Sequence, residues 1–143
     1  MRCVLDTNIV LSGFLWNGSP HHLWTAVQQG AVELFTSEAL RDELQDVLSR
    51  PKCAKRLCEI GLTAVELLNL YATVASLIEP ATVTRLAPDP DDDVVIATAI
   101  AAKADFIVTG DKPLLSVEVF EGGRIVSVGE ALEAIAQSAS QRD

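Results

Sequence analysis

Basic side chains are scarce in this chain: 11 Lys and Arg stand against 20 Asp and Glu, a formal charge of −9 at neutral pH. Proteins that grip nucleic acid regardless of sequence carry a basic footprint, so this balance argues against a general nucleic-acid binder. It does not argue against phosphodiester chemistry, because acids that hold divalent cations inflate the formal count. Two Mg²⁺ ions would offset about four of those charges. Long apolar runs are missing too. No stretch approaches the roughly 18 residues that cross a bilayer. The chain opens directly on a strand-like pattern, without the charged and then apolar segments of a secretory signal. The expectation is a soluble, cytoplasmic protein with no membrane association. Cysteines number three (Cys3, Cys53 and Cys58), an odd count without zinc-ligand spacing. They read as structural thiols, with Cys3 facing the core as a small hydrophobe.

What is present is a globular apolar pattern. With 143 residues, 49% of them apolar, the chain can bury a sizeable core as one domain. No internal repeat, low-complexity tract or linker interrupts it. The domain is expected over residues 1–137, with a polar tail at 138–143 that frays. Strands are expected at 2–5, 32–35, 106–109 and 124–128, with a short further one near 76–79. Helices are expected at 20–29, from Thr36 or Ser37 to Leu48, at 51–60, from the Thr63–Glu66 capping box to Val74, at 90–104 and at 130–137. Asp6-Thr7-Asn8 turns into another helix, residues 80–88 read as a crossover, and Leu114-Leu115 as a turn or short helix. Strands alternating with helices imply an α/β fold with a parallel sheet covered on both faces.

The most informative pattern is acidic. Asp6 closes the run Cys3-Val4-Leu5, and Asp111 closes Phe106-Ile107-Val108-Thr109-Gly110. Asp89, Asp91, Asp92 and Asp93 crowd the start of the helix at 90–104. Ligands of open α/β sheets bind beyond the carboxyl ends of the strands. Acids gathered there repel one another unless a cation sits between them. Hard oxygen donors point to Mg²⁺ or Mn²⁺, and such sites commonly serve phosphoryl chemistry. Glu43 can join them from a helix packed over the same edge. Each acid also has a plainer reading. Asp6 can cap the following helix, Glu43 is one of several acids on a solvated face, Asp89 to Asp93 suit a helix N-terminus, and Asp111 suits a turn. Their recurrence at strand ends favours a small metal-dependent nuclease.

The segments Val4-Leu5-Asp6-Thr7-Asn8, Ser37 to Leu48 around Glu43, Asp89-Pro90-Asp91-Asp92-Asp93 and Ala104-Asp105-Phe106-Ile107-Val108-Thr109-Gly110-Asp111 together resemble the PIN-domain ribonucleases. The likeness is greatest to the VapC-like toxins of bacterial toxin–antitoxin pairs. It extends from residue 2 to about 136. The resemblance implies a three-layer α/β/α sandwich with a mostly parallel central sheet. It implies Mg²⁺- or Mn²⁺-dependent cleavage of single-stranded RNA by a metal-activated water, leaving a 5′-phosphate and a 3′-hydroxyl. By position, Asp6, Glu43, Asp93 and Asp111 match the family's acidic quartet. Asp92 stays open beside Asp93 as the third ligand, since it fits the D-P-x-D form of the motif. Asn8 and Thr109 match the polar positions beside the quartet.

The resemblance also implies an antitoxin that covers the acidic site, and a homodimer. Arg50, Lys52, Lys55 and Arg56 form the one basic cluster and are candidates for holding RNA phosphates, as is Lys112. A solvated helix face is the competing reading. His21-His22 read as surface or packing residues, and Trp16 and Trp24 as packing rather than base stacking. Two other functions compete with a toxin: a housekeeping nuclease acting in RNA processing or on DNA, and a noncatalytic domain whose acidic face only binds. A receiver-like phosphatase is disfavoured, because a helix-borne Glu43 and no strand-end Asp in mid-chain do not suit it.

Overall fold

The short β-branched and aromatic runs do form one sheet, of six strands, in the computed structural model of the chain. The structure describes residues 1–16, 18–81 and 90–141, apart from the side chains of residues 90, 91 and 139–141. The first half runs β1 (Arg2–Leu5), α1 (Thr7–Leu15), α2 (Ser19–Gln28), β2 (Glu33–Thr36), α3 (Glu38–Leu48), α4 (Pro51–Ile60), α5 (Ala64–Val74) and β3 (Ala75–Leu77). The second half runs α6 (Pro90–Ala102), β4 (Phe106–Val108), α7 (Lys112–Leu115), β5 (Val119–Phe120), β6 (Gly123–Val126) and α8 (Val128–Gln141). The strand order is β3-β2-β1-β4-β6-β5. Every pairing is parallel except the edge hairpin of β5 with β6.

Side chains alternate across each strand and divide the core in two. Cys3, Leu5, Leu34, Val108 and Val126 face one side, packed with residues of α1, α2, α4, α5 and α8. Val4, Phe35, Ile107 and Ile125 face the other, against Val95, Ile96, Ala99 and Ala102 of α6 and Leu114 of α7. This is an α/β/α arrangement. Helix α3 belongs to both sides: Leu44 and Leu48 pack in the first cluster and Leu40 in the second. It therefore lies across the end of the sheet where β2 finishes, and this carries its middle residues over the neighbouring strand ends.

Several boundaries move. The strand near 76–79 sits at 75–77, and the long helix at 90–104 ends at Ala102. Strand β5 was not expected, since two residues carry no readable alternation. Helix α8 starts two residues early and runs to Gln141. Most of the crossover at 80–88 lies outside the described residues. Among the cysteines, Cys3 and Cys53 are buried and Cys58 is exposed. Burial pushes the Cys3 thiol up to about 12, with the N-terminal ammonium working against the rise. No single described helix is long and apolar enough to cross a membrane.

Candidate active site

Parallel pairing sets three strand ends side by side, because Leu5 lies opposite Val108 and Val4 opposite Phe35. The chain leaves β1 at Asp6, β2 at Ser37 and β4 at Thr109. Asp6 and Thr109 extend the ladder one residue further. The Asp6 N–H donates to the Val108 carbonyl, and the Thr109 N–H to that of Val126, each at 3.0 Å. Backbone bonding on this scale fixes where the Asp6 side chain starts, and the apolar residues behind it keep it there.

Asp6 is 8% exposed. Its carboxylate takes the Thr7 N–H on Oδ1 at 2.8 Å and the Thr109 hydroxyl on Oδ2 at 2.8 Å. Thr109 in turn accepts the Asp111 N–H at 3.0 Å. The Thr7 hydroxyl donates to Glu43 Oε2 at 3.1 Å. Two threonines thus connect Asp6 at the centre of the sheet to Glu43 on α3 and to the Asp111 segment before α7. Asp111 Oδ2 accepts the Leu114 N–H at 3.2 Å and caps α7.

The fourth acid comes from α6. Asp92 and Asp93 stand half-buried in its first turn. The helix is tied to α3 by a buried hydrogen bond between the Thr98 and Ser37 hydroxyls, 2.9 Å apart. Ser37 also caps α3 through the Leu40 N–H. Val94, next to Asp93, lines a cleft of about 340 Å³ together with Ala39, Leu40, Glu43, Asp46 and Arg50. The start of α6 and Glu43 therefore face the same opening. Asp89 lies outside the described residues, as does the Asp91 side chain.

Among the described residues, no three His, Cys, Asp or Glu side chains surround a common point closely enough to hold a metal ion. The expected ligands Asp6, Glu43, Asp92, Asp93 and Asp111 are gathered at one edge but do not close on one position. The carboxylates of Asp6 and Asp111 each take a nearby helix N–H, and like charges lie lower in energy apart. The donor set still suits a hard divalent cation in kind. Asp6 is a buried carboxylate whose partners are one amide and one hydroxyl, with no Lys, Arg or His among the described residues paired to it. Each of its oxygens keeps acceptor capacity. Carboxylates of this kind select Mg²⁺ or Mn²⁺ over softer metals.

The other candidate residues scatter. Asn8 is exposed on the first turn of α1. Lys112 is exposed beside Asp111. Arg50 lines the cleft and pairs with Asp46 at 3.5 Å. Lys52 and Arg56 sit at the far end of α1, about 13 Å along that helix from Asp6. There Arg56 Nε donates to the Leu15 carbonyl at 2.6 Å and its other arm pairs with Glu59. Lys52 lies over the Trp16 ring, 5.5 Å from its centroid. Lys55 is exposed. The residues of the 50–56 cluster thus have different surroundings, with Arg50 at the cleft and Arg56 held by the Leu15 carbonyl and Glu59. Trp24 packs on Phe14 with centroids 4.1 Å apart, and His21 Nδ1 meets the Gly13 carbonyl at 3.1 Å.

Thr7 is the residue that sequence reasoning passed over. It is a buried polar residue opening a helix whose other buried positions are Ile9, Val10, Leu11, Gly13 and Leu15, and that burial shows only in the structure. The profile of the PIN domain matches residues 2–113, a span that holds every acid described above. The chain is also similar to the uncharacterized protein MJ1680 of Methanocaldococcus jannaschii. The two are 29% identical over 118 residues, covering 82% of this chain and 75% of that protein.

Proposed function

The chain belongs to the PIN-domain family, a nuclease fold, and from that premise we propose a divalent-metal-dependent endoribonuclease cutting single-stranded RNA, the toxin of a toxin–antitoxin pair. The observation that carries the reading is the buried Asp6 carboxylate, joined through Thr7 and Thr109 to the elements bearing Glu43 and Asp111. PIN domains generally bind divalent metals. A bound Mg²⁺ or Mn²⁺ would supply an activated water and neutralise charge on the phosphate. The chain's own residues do the rest. Asp6 is held rigid by two donors, and Glu43 and the start of α6 flank the cleft. Arg50, at the cleft wall, can exchange its exposed pairing with Asp46 for a phosphate oxygen at little cost. RNA then runs from the cleft along the Arg50 side.

The opposite side suits a protein partner instead. A neighbouring groove of about 560 Å³ shares Ala39 with the cleft and is walled by Glu38, Asp42 and Glu79 over Leu77, Ile78 and Pro80. Carboxylate walls repel phosphates and favour a basic, partly apolar segment such as an antitoxin would present.

The test is cleavage of a mixed single-stranded RNA with Mg²⁺ or Mn²⁺. Asp6→Asn or EDTA should each lower the rate by about 100-fold or more, since even outer partners of a metal site cost 10–100-fold. Metal-loaded wild-type protein that leaves RNA intact would redirect the reading to a binding domain. Cleavage without toxicity on expression would favour a housekeeping nuclease.

A further inference from the structure

We propose that Thr7 is a positioning residue, whose hydroxyl aims the Glu43 carboxylate at Asp6 so that the two can share a divalent cation; the proposal rests on the metal-dependent nuclease reading. Thr7 is 4% exposed. A buried hydroxyl is costly unless bonded, and the usual partner in a helix is a carbonyl of the preceding turn. Thr25, Thr73 and Thr98 each satisfy themselves that way, on His21, Leu70 and Val94. Thr7 stands first in α1, so no helical carbonyl lies one turn before it. Its hydroxyl reaches instead to Glu43, 36 residues away on α3.

The same residue touches both acids. Its N–H holds Asp6 Oδ1 at 2.8 Å and its hydroxyl holds Glu43 Oε2 at 3.1 Å. Glu43 is exposed, and its side chain has three torsions to order. Fixing one of its oxygens in advance lowers the ordering that cation binding requires. Thr109 plays the matching part toward the Asp111 segment, but through a backbone N–H rather than a carboxylate. Thr7 joins two acidic side chains.

The experiment is a Mn²⁺ titration of the full chain, followed by the electron paramagnetic resonance signal of free Mn²⁺. Thr7→Val removes the hydroxyl at nearly constant shape and should weaken binding by about tenfold or more. Thr7→Ser restores the donor and should bind within twofold of the wild type, by the same reasoning. Because Thr7 acts through Glu43, Thr7→Val should add nothing in a Glu43→Gln background. Equal affinity of wild type and Thr7→Val overturns the proposal, and so does a Thr7→Ser protein that binds as weakly as Thr7→Val. A Thr7→Val protein that does not fold assigns the hydroxyl to stability and overturns it as well. A wild type that binds no Mn²⁺ overturns the metal-dependent reading and the Thr7 role together, whereas wild-type binding unaffected by Thr7→Val sinks the Thr7 role alone.

Discussion

Asp6 does two things that sequence patterning presents as alternatives. It caps α1 through the Thr7 N–H, and it supplies the buried carboxylate of the site. One oxygen serves the cap and the other meets Thr109, so neither role displaces the other. The two separate by substitution. Asn caps as well as Asp, whereas Ala loses about 1 kcal/mol at such a position. Urea unfolding should therefore find Asp6→Asn close to wild type and Asp6→Ala weaker by about 1 kcal/mol, with RNA cleavage lost in both. If the two variants unfold alike, the capping bond contributes nothing. At this scale the acids were legible, because an apolar run ending in Asp stands out. Thr7 was not. A threonine after an aspartate reads as turn chemistry, and only the crossing of α3 over the strand end reveals its partner.

That crossing belongs to the elements. Ser37 caps α3 immediately after β2, and Leu40 packs on one side of the sheet while Leu44 packs on the other. Amphipathic spacing showed the helix but not which layer it joined. Inner strands β1 and β4 were readable from the apolar runs Cys3-Val4-Leu5 and Phe106-Ile107-Val108, buried on both faces, and β2 from its alternation. The β5–β6 hairpin was read only as one last strand. Its tightness is visible at Gly123, where an added Cβ would stand 2.6 Å from the Ala104 carbonyl oxygen and 2.8 Å from that of Asp105, with the Phe120 ring closer still. Two of those neighbours are backbone and cannot swing aside. Gly123→Ala should cost about 1–3 kcal/mol in urea unfolding, as overpacking does. Gly110→Ala, with open space around its Cβ, is the control. Equal stability of the two would mean that β6 does not approach β4 so closely.

Across the whole molecule, charge is the unresolved tension. A chain of net charge −9 repels itself, and the acids at the strand ends add to that in one place. Two remedies differ in kind. Monovalent salt screens every exposed pair beyond about 10 Å at 0.1 M and does so without a site. A divalent cation, if held by Asp6, Glu43 and their neighbours as proposed, would bind only the folded chain, so its stabilisation would follow its affinity. At ten times its dissociation constant it contributes about 1.4 kcal/mol, which raises the melting temperature of a domain this size by several degrees. Thermal unfolding in Mn²⁺ should therefore exceed that in NaCl of equal ionic strength. Asp6→Asn should keep the NaCl response and lose the excess. An NaCl series that reproduces the full Mn²⁺ effect would assign it to screening alone, and the acids at the sheet end would then be a charged surface rather than a cation site.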